Sequence, residues 1–339
     1  MKYILYTALF VSTFFAAACN QDPIFMMISN EVEPKDPLIS GSPSKFAKIN
    51  DDIYVANGKL WKYTTSGGWA QAGGPSNVYD IAAAGTTLYL LSVGQNGCTV
   101  YKRDSSGEFA SIPNNSGFGM IQGVYTGGTN LYAGGMEGES YAILYIDSNE
   151  LKSKSPISSP LTGVAGGYYA TAHNGIYKIS DNTLVAGAGY TIAGIIEAEG
   201  KIIAVSSGGT IFDIDPTTNS VTPYETSYNF TGALAVYEPA SGSEDLLLIG
   251  IKGSIYSLGY REAWLNGTDN FALRSPGGSI ADSTIPIADQ DKYSATLEKY
   301  AVNSLIQAGE KSEGWPVIFA STQKNGLWSY RNREWNAEE

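Results

Sequence analysis

The sequence predicts an all-β fold, a seven-bladed β-propeller of four-stranded antiparallel blades with an insertion in the sixth blade. Three observations support it: a recurring aliphatic–aromatic pair, a short apolar run before each pair, and a composition typical of strands and tight turns. The chain has 339 residues with 39 Gly and 23 Tyr, and only 16% of its residues are charged. Aromatic side chains favour strands and glycine favours turns, so this composition indicates a β-rich fold.

The N-terminus is predicted to be a signal peptide, residues 1–18. It has one lysine near its start, an apolar run from Ile4 to Phe15, and Ala16-Ala17-Ala18 before Cys19. The apolar run is short for a membrane span. Small residues before a Cys resemble the lipobox of bacterial lipoproteins, which implies cleavage before Cys19 and lipid attachment to it. The alternative is an ordinary secretory signal, because Ala16 stands where that family usually has Leu.

Residues 19–44 are predicted to be a lipidated tether that holds the folded part off the membrane. They contain four prolines among acidic and polar residues, a composition that does not build a packed core. The apolar cluster Ile24–Ile28 is an exception, which either packs on the domain or lies near lipid. If Cys19 carries lipid, Cys98 is the one remaining cysteine and no intrachain disulfide forms.

The repeat is an aliphatic residue followed by an aromatic one. Seven copies occur, at Leu60-Trp61, Val100-Tyr101, Leu144-Tyr145, Ile176-Tyr177, Ile211-Phe212, Ile255-Tyr256 and Leu327-Trp328. A Gly stands shortly before six of them, and the third copy lacks it. A second apolar run precedes each pair, at Ile53–Ala56, Leu88–Leu91, Leu131–Ala133, Tyr168–Ala170, Ile202–Val205, Leu246–Ile249 and Val317–Ala320. A run, a glycine-rich turn and a second run predict a β-hairpin.

Further candidate strands flank each hairpin. Val78–Ala82 is an apolar example upstream of a hairpin, and Ser220–Tyr224 is a more polar example downstream. Four strands in roughly 40 residues is the period of a propeller blade. A two-sheet sandwich is the alternative, but it gives no reason for a four-stranded unit to recur with one signature. The pattern resembles PQQ-type and YVTN-type extracellular propellers, in which the aromatic side chain packs between neighbouring blades.

The propeller is predicted over residues 45–339. Its blades are placed at about 45–74, 75–113, 117–156, 160–188, 190–225, 228–275 and 295–339. Only the interval before the last pair is long enough for an eighth blade. Because that interval contains no further pair of this kind after a Gly, residues 260–294 are predicted to be an insertion. The pattern does not require a shared strand to close the ring.

Few residues suggest chemistry, and no catalytic residue or cofactor is predicted. The sequence has no Walker-type loop, no Gly-x-Ser-x-Gly elbow and no metal-ligand spacing, and its single histidine, His173, excludes a His-rich metal site within one chain. A net charge of −12 disfavours nucleic acid as a partner. The pairs Asp213/Asp215 and Asp289/Asp291 are weak candidates for Ca²⁺, because paired carboxylates can bind this ion.

The predicted insertion is the main irregular feature. It contains Tyr260, Trp264, Phe271 and Arg274. Long loops in compact domains are often functional, and exposed aromatic side chains beside an arginine suit a protein partner or a glycan. These four residues are therefore candidates for partner binding. The alternative is that the segment packs on one face of the ring as a structural cap.

Two main functions fit these features, beside a third interpretation in which the propeller binds a cofactor or small ligand along its axis. The first is an envelope-anchored propeller lipoprotein, periplasmic or on the cell surface, that binds or scaffolds another envelope or extracellular protein, a ligand or a glycan. It resembles in outline the lipoprotein propellers that act as adaptors in outer-membrane assembly. The alternative is a carbohydrate-active hydrolase or lyase with two carboxylates about 5–10 Å apart in the central depression. Asp80, Glu197 and Glu199 are the acids on or near innermost strands.

Overall fold

A computed structural model gives the architecture of the chain. It describes residues 38–64, 68–95, 97–104, 106–238, 245–253, 259–265, 271–273, 297, 300–308, 317–331 and 334–338. Within these residues every named element is a β-strand, and the strands form seven antiparallel sheets. No helix in the described part of the chain has the length and apolarity needed to cross a membrane.

The first three sheets have four strands each, in chain order from the innermost outward. Blade one contains β1 (Phe46–Ile49), β2 (Asp52–Asn57), β3 (Lys59–Thr64) and β4 (Gly68–Gln71). Blade two contains β5 (Val78–Ala84), β6 (Thr87–Gly94), β7 (Gly97–Arg103) and β8 (Phe109–Ile112). Blade three contains β9 (Met120–Gly127), β10 (Asn130–Glu137), β11 (Ser140–Asp147) and β12 (Glu150–Ile157).

The remaining four sheets follow the same plan. Blade four contains β13 (Leu161–Ala165), β14 (Tyr168–Thr171), β15 (Gly175–Lys178) and β16 (Leu184–Ala186). Blade five contains β17 (Ile192–Ala198), β18 (Lys201–Ser206), β19 (Thr210–Ile214) and β20 (Val221–Glu225). Blade six shows three strands among the described residues, β21 (Asn229–Tyr237), β22 (Leu246–Lys252) and β23 (Gly259–Trp264), and blade seven contains β24 (Val302–Ala308), β25 (Val317–Thr322), β26 (Leu327–Arg331) and β27 (Glu334–Ala337).

The sheets form a ring, because the innermost strand of each blade contacts that of the next. These strands are β1, β5, β9, β13, β17, β21 and β24, and β24 in turn contacts β1. The predicted all-β, seven-bladed propeller is therefore confirmed. Each blade is built from consecutive strands, so no strand is exchanged between the first and last blades.

The core consists of hydrophobic clusters between neighbouring blades, and these clusters explain the repeated pair. In five copies the aliphatic side chain packs toward the following blade and the aromatic side chain toward the preceding one. Leu60, for example, belongs to the cluster between blades one and two, whereas Trp61 packs on the cluster between blades seven and one. Successive side chains of a strand point to opposite faces, so one dipeptide contacts both neighbours. The expectation that the aromatic packs between blades is met in these copies.

Two copies of the pair depart from this arrangement. In blade three, which lacks the preceding Gly, Ile143 faces blade four and Leu144 faces blade two, so the pattern is displaced by one residue. The sixth copy, Ile255-Tyr256, lies outside the described residues. The third strand of blade six is β23, where Tyr260 is opposite Gly250 of β22.

Residues 38–42 lie along blade seven where the ring closes. The amide N–H of Leu38 donates to the carbonyl of Glu338 at 2.9 Å, and the carbonyl of Ile39 accepts from the N–H of Leu327 at 3.1 Å. The Ile39 side chain is 1% exposed and belongs to the cluster shared by blades seven and one. The folded unit spans Leu38–Glu338, so the last residues of the predicted tether form part of the seam.

Candidate functional site

All seven innermost strands line one axial cavity of about 620 Å³. This volume falls within the range of roughly 300–1,000 Å³ that is typical of small-molecule sites. Much of the wall is Gly or Ala, for example Ala82, Gly163, Gly194 and Ala233. Apart from a bridge between Val78 of β5 and Gly58 of blade one, each innermost strand pairs with the second strand of its own blade. The other edge of these strands can therefore offer backbone N–H and C=O groups toward the axis.

The innermost strands of blades two to seven each carry a β-bulge near their beginning. The residues left out of the regular pairing are Tyr79, Gln122, Thr162, Ala193, the stretch 231–233 and Asn303. Bulges redirect side chains and interrupt pairing. In blades three to six a Gly lies within or directly after the bulge, and this position is where adjacent innermost strands approach. A Cβ on Gly163, for instance, would come 2.6 Å from Ile195 Cγ2.

The end of the cavity at which the innermost strands begin is called the upper mouth here, and it holds a paired charge. Asp80 Oδ2 lies 2.9 Å from Lys45 Nζ and accepts a hydrogen bond from the N–H of Val124 at 3.0 Å. Asp80 Oδ1 accepts from the N–H of Ile81 at 3.0 Å. Both oxygens of Asp80 are thus engaged, and the residue is only 7% exposed.

The same network continues into blades three and four. Lys45 Nζ also donates to the carbonyl of Val124 at 2.5 Å and lies 3.9 Å from the ring centroid of Tyr125. The Tyr125 hydroxyl donates to the carbonyl of Leu161 at 3.0 Å. Burial, followed by the nearby Asp80 carboxylate, raises the pKa of Tyr125 well above its usual value, so this hydroxyl keeps its proton. The upper mouth therefore connects blades one to four.

The other end, where the innermost strands turn back into the second strands, is the lower mouth. Lys48 and Glu197 line the cavity there and are exposed. Lys48 is the next-to-last residue of β1 and Glu197 is the next-to-last residue of β17, and a two-residue turn follows each strand. Within the described residues neither side chain makes a hydrogen bond or an ion pair.

Gly166 helps to place the Glu197 carboxylate. A Cβ added to Gly166 would lie 2.9 Å from Glu197 Oε2, and it would also overlap Ile202 Cδ1. Gly166 has a φ of +48°, a left-handed conformation that glycine adopts without strain. The neighbouring Gly167 also has a positive φ, +84°, but it has open space where a Cβ would be. Only at the first glycine would a Cβ displace the Glu197 carboxylate and meet the buried Ile202 side chain.

The family model described as "TP013X lipoprotein family" matches residues 2–193. The match covers more than half of the chain. The chain belongs to the TP013X lipoprotein family. It is therefore an envelope-associated propeller lipoprotein held at a membrane, and the predicted combination of a lipoprotein with a seven-bladed propeller is confirmed.

No curated protein matches this lipoprotein. Among solved structures, virginiamycin B lyase from Staphylococcus aureus is similar to it with a TM-score of 0.61 and 11% sequence identity. The similarity covers 86% of this chain and 97% of that chain. At this level of identity the similarity shows the propeller fold alone.

The acids that the sequence placed on or near innermost strands separate into different environments in the lipoprotein. Asp80 and Glu197 both line the cavity, whereas Glu199 is an exposed turn residue after β17 outside its wall. Lys45 and Lys48 were missed. The sequence could have indicated them, because each is a charged residue on or beside an innermost strand, at a position where most blades have small or apolar residues.

The first pair of calcium candidates has partners within the protein. Asp213 Oδ2 lies 2.8 Å from Lys201 Nζ. Asp215 accepts hydrogen bonds from the Thr218 hydroxyl at 2.8 Å and from the N–H of Thr217 at 2.7 Å, and these contacts lower the pKa of Asp215. No group of three or more His, Cys, Asp or Glu side chains in the described residues could hold a metal ion. Asp289 and Asp291 lie outside those residues, and Ca²⁺ binding at either pair stays a prediction.

Of the four partner-binding candidates in the insertion, two are buried in the core and two have side chains outside the described residues. Tyr260 is 1% exposed between blades six and seven, 5.7 Å from the Trp335 ring. Phe271 is 5% exposed and 5.1 Å from the Tyr224 ring. Burial removes both rings from the accessible surface, which corrects the expectation that they face a partner. The Trp264 side chain and Arg274 lie outside the described residues, as does Cys19, and their roles stay predictions.

Proposed function

We propose that this lipoprotein is a non-enzymatic ligand-binding module of the cell envelope and that its binding site is the axial cavity. The observation that supports this is the cavity itself, about 620 Å³ with a wall contributed by every blade. The small side chains of the wall leave room for a ligand. The free charges at the lower mouth and the exposed backbone edges of the innermost strands can give it specificity.

The geometry does not favour the alternative of a carbohydrate-active enzyme. Asp80 and Glu197 are the acids in the cavity wall among the described residues. Glu197 is the next-to-last residue of its strand, whereas Asp80 lies three residues further from the end of its own. At roughly 3.3 Å per residue, the two acids are separated by about 10 Å along the axis. The two strands also belong to different, non-adjacent blades. Because Asp80 is engaged with Lys45 and two backbone amides, it is placed to hold blades together.

The lipid anchor is assigned to Cys19, with residues 1–18 as the signal peptide and the outer membrane as the location. Cys19 follows Ala16-Ala17-Ala18, and the family is one of lipoproteins. We expect the Cys19→Ser variant to move from the detergent phase to the aqueous phase in a Triton X-114 partition. A variant that stays in the detergent phase would contradict lipidation at this residue.

A thermal-shift experiment tests the cavity as the binding site. The full-length protein in detergent is heated with triglycine, O-phosphoethanolamine, succinate or N-acetylglucosamine, which represent two zwitterions, an anion and a neutral sugar. A ligand that binds only the folded protein raises the melting temperature. We expect at least one compound to do so at millimolar concentration.

A variant that fills the cavity tests whether the shift in melting temperature comes from binding there. Thr126 lines the cavity at the end of β9, so Thr126→Trp places a large ring in it. Thr222 is exposed on the outer strand β20, so Thr222→Trp is the matched control. The proposal requires the shift to disappear in Thr126→Trp and to persist in Thr222→Trp. A shift that survives the filling of the cavity, or the absence of any shift in the panel, would overturn it.

A further inference from the structure

The next-to-last residues of the innermost strands form a ring at the lower mouth. In blades one to five each is followed by one paired residue and a two-residue turn, so these residues lie at the same height. They are Lys48, Ala83, Thr126, Val164 and Glu197, and all five line the cavity. Three of them are uncharged, and the other two carry opposite charges.

The equivalent residues of blades six and seven add no free charge to this ring. Val236 holds the position in blade six and Gln307 holds it in blade seven. The Gln307 side chain is engaged with the backbone of Glu238, because its Oε1 accepts from the N–H at 2.6 Å and its Nε2 donates to the carbonyl at 3.2 Å. Neither residue is part of the cavity wall.

The opposite charges of Lys48 and Glu197 are separated by the ring. Blades one and five are three steps apart by the shorter path, which is the largest separation in a ring of seven. Neither side chain has another partner in the described part of the chain. Charges that face a partly enclosed cavity interact more strongly with a ligand than charges on an open surface, and such complementarity provides specificity.

We propose that the lower mouth binds a zwitterionic short peptide, with its terminal carboxylate at Lys48 and its terminal ammonium at Glu197. This inference rests on the proposed function. A peptide fits better than a single amino acid because the two charges belong to blades three steps apart, so a ligand that contacts both has to span the ring. The free edges of the innermost strands can also offer hydrogen bonds to peptide groups, which a phospholipid headgroup does not need. The ligand class is therefore a peptide of a few residues with both termini free.

Isothermal titration of the full-length protein with triglycine tests the proposal. Lys48→Gln and Glu197→Gln are each expected to weaken binding about five- to tenfold, the loss of one charge contact of about 1 kcal/mol. Glu199→Gln is the matched control, because Glu199 is exposed two residues further along and lies outside the wall. The double variant Lys48→Glu/Glu197→Lys exchanges the two charges and is expected to recover most of the affinity. Triglycine with an acetylated N-terminus and an amidated C-terminus is expected not to bind.

Several outcomes would overturn the inference. Equal binding of triglycine to the parent and to both single variants would remove Lys48 and Glu197 from the site. Binding of the doubly blocked peptide would show that the charged termini are not recognised. Binding of O-phosphoethanolamine in place of triglycine would assign the mouth to a headgroup. If another compound of the thermal-shift panel binds in the cavity and triglycine does not, this inference fails while the proposed function stands; if none binds, both fail.

Discussion

The two mouths of the axial cavity each contain a lysine and a carboxylate, yet they use them differently. At the upper mouth Lys45 and Asp80 belong to neighbouring blades and lie 2.9 Å apart. At the lower mouth Lys48 and Glu197 belong to blades on opposite sides of the ring and have no partner in the described residues. The two pairs differ because the blades that carry them are adjacent at the upper mouth and lie across the ring from each other at the lower mouth. Charges on adjacent innermost strands stabilise the ring, whereas charges across the cavity are free to bind a ligand.

The largest expected effect concerns the seam between blades seven and one. Ile39 is 1% exposed among residues of blades seven and one, whereas the adjacent Leu38 is 45% exposed. Ile39→Ala leaves a cavity in the seam and is expected to lower the free energy of unfolding by about 2–4 kcal/mol. Leu38→Ala is the control and is expected to change it by less than about 0.5 kcal/mol. Denaturant unfolding measures both, and similar losses would mean that residues 38–42 do not hold the ring closed.

The second prediction compares the two carboxylates directly. Asp80→Ala leaves Lys45 without its partner and the N–H of Val124 without its acceptor. Breaking a buried pair costs about 3–5 kcal/mol, and because the Lys45 side chain is 36% exposed we expect the lower value of about 2–3 kcal/mol. Glu197→Ala is expected to cost less than about 0.5 kcal/mol, since Glu197 has no such contacts. If denaturant unfolding shows the same loss of stability for Asp80→Ala and Glu197→Ala, the upper mouth is no more structural than the lower one.

The smallest effect is expected from the glycines beside Glu197. Gly166→Ala and Gly167→Ala both place a side chain at positive φ, which we expect to cost about 1 kcal/mol of stability. Gly166→Ala is expected to cost about 2 kcal/mol in total, because its Cβ also overlaps the buried Ile202 side chain. Only the first also displaces the Glu197 carboxylate, since Gly167 has open space at that position. Triglycine titration should show weaker binding for Gly166→Ala and unchanged binding for Gly167→Ala. Parallel behaviour of the two variants would show that the placement of Glu197 is not needed.

The repeated pair could be predicted from the sequence because its cause is local. Adjacent side chains of a strand point to opposite faces, so an aliphatic–aromatic dipeptide contacts the two neighbouring blades, as Leu60 and Trp61 do. The displaced pattern in blade three could not be recognised, because Leu144-Tyr145 matches the aliphatic–aromatic pair, whereas Ile143-Leu144, which contacts the two neighbouring blades, does not. The family assignment similarly agrees with the local signal before Cys19.

The candidate site was less accessible to prediction because it depends on contacts between distant blades. The bulges near the start of the innermost strands are set by hydrogen-bond register, which a single strand does not encode. Tyr260 was expected at a surface, but it packs between blades six and seven. Glu197 was placed near an innermost strand, yet its relation to Lys48 follows only from the order and number of blades.

The central claim is that the lower mouth binds a ligand while the upper mouth is structural. Amide chemical-shift mapping of the full-length protein with triglycine tests it most directly. The account predicts that the largest shifts occur at Lys48, at Glu197 and in the turns that follow them, and that Asp80 and Val124 remain unchanged. Shifts centred on Asp80 and Val124, shifts confined to the outer strands, or no shifts at saturating triglycine would contradict it.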